Sequence, residues 1–200
     1  FFQAEDGIRD SSVTGVQTCA LPISAAIALE ELVRCGADTF IRVGTSGHIQ
    51  KDSVSGELEI ISAAIRDEGT SKHYMPIEFP AVADIDLVMA LQRAAKKTGA
   101  RSRTGITQSK DSFYGQHEPA RMGVGPDLLN RWKAWEIGGA LCSEMEASAL
   151  FVIASMLRVR AGGVMMVHGV DPMPPLDILL DTAVQGLREI IAEDKASGRL

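Results

Sequence analysis

Short β-branched runs alternating with amphipathic helical patterns predict an α/β domain of three layers. Two observations carry that expectation. The run Thr39-Phe40-Ile41-Arg42-Val43 has the apolar, β-branched composition of a buried strand and gives way to Gly44-Thr45-Ser46-Gly47. Segments with apolar residues three and four positions apart separate it from the later strand-like runs, as helices between strands would. In such domains the reactive side chains gather at strand ends.

The elements follow in order. Ala25 to Cys35 reads as a helix closed by Gly36, followed within a few residues by the Arg42 strand. The Gly44–Gly47 segment is expected to be a loop whose amides and hydroxyls can approach a ligand closely. Glu57 to Ala64 is a second strand. Lys72 to Asp84, with Pro76 and Pro80, reads as an irregular surface or interface loop. Asp84 or Asp86 caps a helix running to about Thr98, with Leu87, Val88 and Leu91 on its buried side. Arg103 to Gln108 is a strand entering the loop Lys110 to His117. Asp127 to Ile137 is a helix, Ala140 to Ser143 a short strand, and Glu144 opens an apolar helix through Leu157. Ala161 to His168 is a buried strand, and Ile178 to Glu193 the closing helix.

Two hundred residues are enough for one domain with a real core. The net charge of −6 offers no basic surface for nucleic acid or an anionic membrane. No apolar stretch reaches the roughly 18–20 residues of a membrane span. Cys19, Cys35 and Cys142 are odd in number and lack metal-ligand spacing, which points to free thiols in a reducing cytoplasm. His48, His73, His117 and His168 also lack such spacing, and there is no Gly-x-Ser-x-Gly elbow or phosphate-binding P-loop.

Residues 1–24 stand apart, with scattered Gly, Asp, Ser and Thr and no sustained period. They lack the basic start and apolar core of a signal peptide. Gln3 to Asp10 back-translates as CAAGCAGAAGACGGCATACGAGAT, and Val13 to Ser24 back-translates similarly. Both resemble a common short-read sequencing adapter, with Ser11-Ser12 where its index would lie. The segment is therefore expected to be translated adapter, and residues 25–200 a partial domain.

Three constellations could carry chemistry. Arg42 in an apolar strand needs an anionic partner, phosphate above all, unless it reaches solvent at a sheet edge. Glu144 and Glu146 either cap a helix or accept hydrogen bonds from sugar hydroxyls, with Met145 packed on the sugar ring. Phe113 and Gln116 are either a core ring and a turn amide, or a pocket that stacks on a heterocycle and reads its edge.

Taken jointly, Phe40 to Gly47, Pro76 to Asp84, Asp111 to Gln116 and Glu144 to Ala147 are similar to the nucleoside phosphorylase family, and within it to the uridine-specific branch. The resemblance runs from about residue 24 through residue 160. It implies a three-layer α/β/α sandwich with a mixed central sheet, here lacking the family's N-terminal strands. The implied activity is that of a pentosyltransferase in nucleoside salvage, splitting uridine reversibly with phosphate into uracil and ribose 1-phosphate. No cofactor is implied, only inorganic phosphate as co-substrate, and the intact protein is expected to form a homo-oligomer, a trimer or hexamer.

By that resemblance Arg42, Thr45 and Glu146 are the catalytic set. Arg42 and Thr45 bind phosphate, while Thr45, Met145, Glu146 and Glu144 surround the ribose. Phe113 and Gln116 receive the base. The family's Gln-x-Arg base reader would place arginine where this chain has Glu118, so Lys110, Arg121 or, by preference, His117 is expected to replace it. An aspartate of purine-specific relatives has its nearest counterpart in Asp171, too late in the chain, which favours a pyrimidine. Further phosphate-site groups of the family would precede Ser24, so the chain itself is expected to be nearly inactive. The alternatives are a purine nucleoside phosphorylase or nucleosidase of the same superfamily, or an inactive nucleoside-binding fragment.

Overall fold

A computed structural model describes residues 22–169 and 174–199. Residues 1–21 of the adapter-like segment, and the expectation about Asp171, lie outside the described residues. Helix α1 (Pro22–Arg34) starts three residues earlier than periodicity predicts, with proline in its first turn, where a missing N–H costs nothing. Gly36, at φ +97°, supplies the left-handed turn after it.

Among the described residues, six strands form one mixed sheet in the order β3-β2-β4-β5-β1-β6. They are β1 (Thr39–His48), β2 (Leu58–Asp67), β3 (Ala81–Val82), β4 (Ser102–Lys110), β5 (Cys142–Glu144) and β6 (Arg160–Val167). The β1–β6, β2–β4 and β4–β5 pairs are parallel, and the β1–β5 and β2–β3 pairs antiparallel. The sheet curls so far that Leu58–Ile61 of β2 also pairs antiparallel with Gly163–Met166 of β6. Sheet twist accumulates in this way, and here it brings the C-terminal ends of β1, β4 and β5 around one another.

Helices cover both faces. On one side α1 and α5 (Ala147–Leu157) bury Leu29, Phe151 and Ile153 against Ile61 and Met165. On the other, α2 (Ile85–Thr98) and α6 (Asp177–Ser197) bury Val88, Leu91 and Leu179 against Leu58, Ile60, Val164 and Met166. The alternation of Val164, Met165 and Met166 between the two cores is the period of a strand covered on both faces. Each fully buried side chain of this size contributes roughly 1.5–3 kcal/mol. Asp84 caps α2 by accepting from the amides of Asp86 and Leu87, and Gly99 closes it at φ +72°; such a cap is worth about 1 kcal/mol.

Four local expectations change. Gly44–Gly47 is not a loop: β1 runs on to His48, leaving β6 after Ser46 and joining β5 at Gly47. Phe113–His117 is a short helix, α3, because the Ser112 hydroxyl accepts from the Gly115 amide and starts a turn. Glu144 ends β5 rather than opening the helix, which begins at Ala147. The segment after β2 holds a 3₁₀ turn at Thr70–His73 and the two-residue β3, whose pairing to β2 the prolines leave open. The remaining helix, α4 (Gly125–Ile137), leans on the α3 region rather than on the main core.

Candidate active site

Strand β5 is the axis of the site. Two of its neighbouring residues, Ser143 and Glu144, point to different sets of partners, since successive side chains alternate across a strand.

Glu144 faces Arg42. The Arg42 Nε lies 2.8 Å from Glu144 Oε2, and its Nη2 donates to Glu146 Oε2. Its Nη1 rests 3.3 Å from the Met165 sulfur. The guanidinium lies flat over the next residue on the same strand face: a Cβ on Gly44 would come within 2.2 Å of Arg42 Nη1. Glycine at that position is thus a requirement of the arginine's path, not of a loop. Glu144 is buried and also accepts from the amides of Glu146 and Ala147, which makes it the cap of α5, and from the Ser109 hydroxyl. Glu144 thus serves as a cap, and Glu146 is turned to the arginine.

Burial raises the Glu146 pKa, and the Arg42 charge opposes that rise. One arginine between two carboxylates leaves this end of the site net negative when all three are ionised. Thr45 is exposed on β1, its Cβ on the opposite strand face from Arg42, and Met145 is half-buried between the two glutamates.

Ser143 faces the other way. Its Oγ lies 2.6 Å from Lys110 Nζ, 2.5 Å from Gln108 Oε1 and 2.6 Å from Gln116 Oε1. Lys110 is 6% exposed at the end of β4, and burial pushes its pKa down to about 8 against the pull of Glu144. Gln116 stands on α3 with Nε2 toward β1, 3.9 Å from where a Cβ on Gly47 would lie. Phe113 is 52% exposed, and His117 packs on it with ring centroids 4.2 Å apart. Partial burial and the Lys110 charge push the His117 pKa down. Glu118 pairs with Arg121 at 3.1 Å, and Arg121 sits over the Tyr114 ring. Of the other expected replacements for the base reader, Lys110 shares the Ser143 hydroxyl with Gln116, and His117 packs on Phe113.

Behind Gln116 a cavity of about 540 Å³ opens between the end of β4, α3 and α4. Its floor is Asp67, Gln108 and Lys110, and its far wall is Trp132 and Trp135. Arg131 holds Asp67 at 3.0 Å across its mouth.

The structure thus brings Arg42, Glu144 and Glu146 together, and separately Lys110 with Gln116, and Phe113 with His117. Reasoning from sequence missed Ser143, Gln108, Asp67 and Arg131. The signal for one of them, Gln108, was present in Gln108-Ser109-Lys110, a polar run ending a strand that is buried at those very residues.

Among known proteins, the Phosphorylase superfamily matches this chain over residues 12–189. A uridine phosphorylase of Treponema pallidum (strain Nichols) is 51% identical over 146 residues, covering 73% of this chain and 57% of the relative. A uridine phosphorylase of Thermococcus kodakarensis is 47% identical over 141 residues, 70% of this chain and 51% of the relative. A guanosine phosphorylase of Halorubrum lacusprofundi is 36% identical over 146 residues, 73% and 56% of the two chains. The chain spans a little over half the length of these relatives. The superfamily match takes in all six strands, both halves of the site and most of the last helix, so this chain belongs to the Phosphorylase superfamily.

Proposed function

We propose that these residues form the nucleoside site of a phosphorylase that splits uridine with inorganic phosphate, giving uracil and ribose 1-phosphate. The observation that carries this reading is the pair of neighbours on β5. Ser143 supports an amide suited to a heterocycle edge, and Glu144 supports an arginine and a carboxylate suited to phosphate and sugar. One strand therefore sets the base end and the sugar-phosphate end of a nucleoside side by side. The two uridine phosphorylases, at 51% and 47% identity, favour uridine over the guanosine-acting relative at 36%.

In this reading phosphate takes Arg42 from Glu146. The freed Glu146 carboxylate then accepts from the ribose hydroxyls, with Met145 against the ring; Thr45, its side chain on the other face of β1, has no part in this step. As the glycosidic bond lengthens, positive charge grows at the anomeric carbon and the phosphate held by Arg42 lies against it. Arg42 orients the nucleophile, and positioning of this kind accounts for much of the rate of such a displacement. The base departs with negative charge on its ring. Lys110, charged below about pH 8, and His117 stabilise it from one side while Phe113 stacks on its face. No cofactor enters the scheme. We further infer a cytoplasmic homo-oligomer.

Turnover by the 200-residue chain is slow in this account, because Arg42 must hold phosphate against two carboxylates. The test is uracil release from uridine by the purified chain, with and without phosphate. Release that requires phosphate supports the proposal. Release that is indifferent to phosphate identifies a nucleosidase, and release from purine nucleosides alone contradicts the assignment of the base.

A further inference from the structure

The base half of the site holds a closed set of hydrogen-bond donors and acceptors, and counting them decides which way Gln116 faces. The Asp67 carboxylate only accepts. Gln108 Nε2, 2.8 Å from Asp67 Oδ2, must therefore donate to it, which turns Gln108 Oε1 toward Ser143. Arg131, 3.0 Å from the other Asp67 oxygen, holds that carboxylate in place. Lys110, as an ammonium, only donates, and its Nζ lies 2.6 Å from Ser143 Oγ.

A serine hydroxyl has one hydrogen and two lone pairs. The hydrogen goes to Gln108 Oε1, and one lone pair receives Lys110. What remains for Gln116 is the second lone pair, which calls for a donor. Gln116 Oε1 lies 2.6 Å from Ser143 Oγ, so two amide oxygens face a single hydrogen. Gln108 is locked by Asp67. Gln116 is not, and a half-turn of its amide gives the second lone pair of Ser143 its donor without changing the side chain's shape.

We propose that the relay Arg131–Asp67–Gln108–Ser143–Lys110 is a specificity device: it holds Gln116 with its amide nitrogen on Ser143 and its oxygen toward β1 and the base. Gln116 then accepts from a ring N–H flanked by carbonyls, the edge of a lactam base such as uracil. A base with an unprotonated ring nitrogen beside an amino group, such as cytosine, meets the wrong polarity. Ser143 and Gln108 are positioning residues that act through Gln116 and need not touch the base. The inference rests on the nucleoside site proposed above.

The experiment is calorimetric titration of the 200-residue chain with uracil and with cytosine, for the wild type, Ser143→Ala, Ser143→Thr and Gln108→Met. The wild type is expected to bind uracil at least about tenfold more tightly than cytosine, about what one misaligned hydrogen bond costs. Ser143→Ala frees the amide, and the ratio falls toward one, chiefly through gain of cytosine. Ser143→Thr keeps the hydroxyl and the ratio. Gln108→Met, close in volume, releases the serine hydrogen to Gln116 Oε1, turns the amide, and lowers or reverses the ratio. A role limited to holding the fold would weaken both bases together. A ratio unchanged in both Ser143→Ala and Gln108→Met overturns the relay and leaves the nucleoside reading standing. Failure of the wild type to bind either base overturns that reading and the relay with it.

Discussion

The two ends of the site are built on neighbouring residues of β5 yet work by different physics. At the Glu144 end, charge dominates: a guanidinium lies between two carboxylates, and the geometry is set by how Arg42 crosses Gly44. At the Ser143 end, net charge matters less than the direction of each hydrogen, because one hydroxyl joins a lysine and two amides. Charged groups attract many anions at low geometric cost, whereas a buried amide network rejects a ligand of wrong polarity by leaving groups unpaired. Affinity for phosphate and choice of base are therefore expected to respond to separate mutations.

The largest separation is predicted for Arg42→Met. Phosphate-dependent uracil release should fall by about 100-fold or more, the scale for misplacing a bound nucleophile. Uracil binding, read by calorimetry, should stay within about twofold. A parallel loss of both would show that the two ends are not independent.

Lys110 separates the ends through pH. Its pKa lies near 8 when folded, below its ordinary 10.5. Between these values the unfolded chain holds the proton and the folded chain does not, so stability rises with pH across that window and is lowest below about 8. The buried charge costs at most about 3 kcal/mol there. Lys110→Met is predicted to remove that rise: its stability relative to wild type, from urea denaturation, should decline from pH 7 to pH 10. A difference that is flat with pH would mean that Lys110 titrates normally.

Gln116→Leu is expected to weaken uracil about tenfold, the loss of one well-placed hydrogen bond, and to leave phosphate binding unchanged. The smallest effect is that of salt. Raising ionic strength to about 1 M shortens the screening length to roughly 3 Å, so phosphate binding should weaken several-fold while uracil binding barely moves.

The charged end was more legible in the sequence than the polar one. Arg42 inside an apolar run demands an anion unless it reaches solvent, and Glu144-Met145-Glu146 before an apolar helix reads as a cap or as acceptors for sugar hydroxyls; each statement concerns a local pattern. The Gly44–Gly47 segment misled, because glycine and hydroxyl residues signal a loop as readily as a strand over which another side chain must pass. Phe113 and Gln116 could be read either as core and turn or as a base pocket, and the resemblance chose the pocket. It could not supply Ser143, Gln108 and Asp67, whose shared hydroxyl depends on β2, β4 and β5 lying in register, with Gln108 opposite both Ile65 and Ser143. Long-range register of that kind leaves no mark on a single strand. The mixed sheet and its helical layers were legible from periodicity and resemblance together, but the extra β2–β6 pairing was not, since it follows from twist accumulated over the whole sheet.

The most direct test of the account is a product assay for uracil released from uridine, run on the purified chain and on Arg42→Met across a phosphate series. The account predicts release that grows with phosphate in the parent chain and loses that dependence, with nearly all of its rate, in the variant. Release that is equal with and without phosphate, and equal in the two proteins, would contradict it.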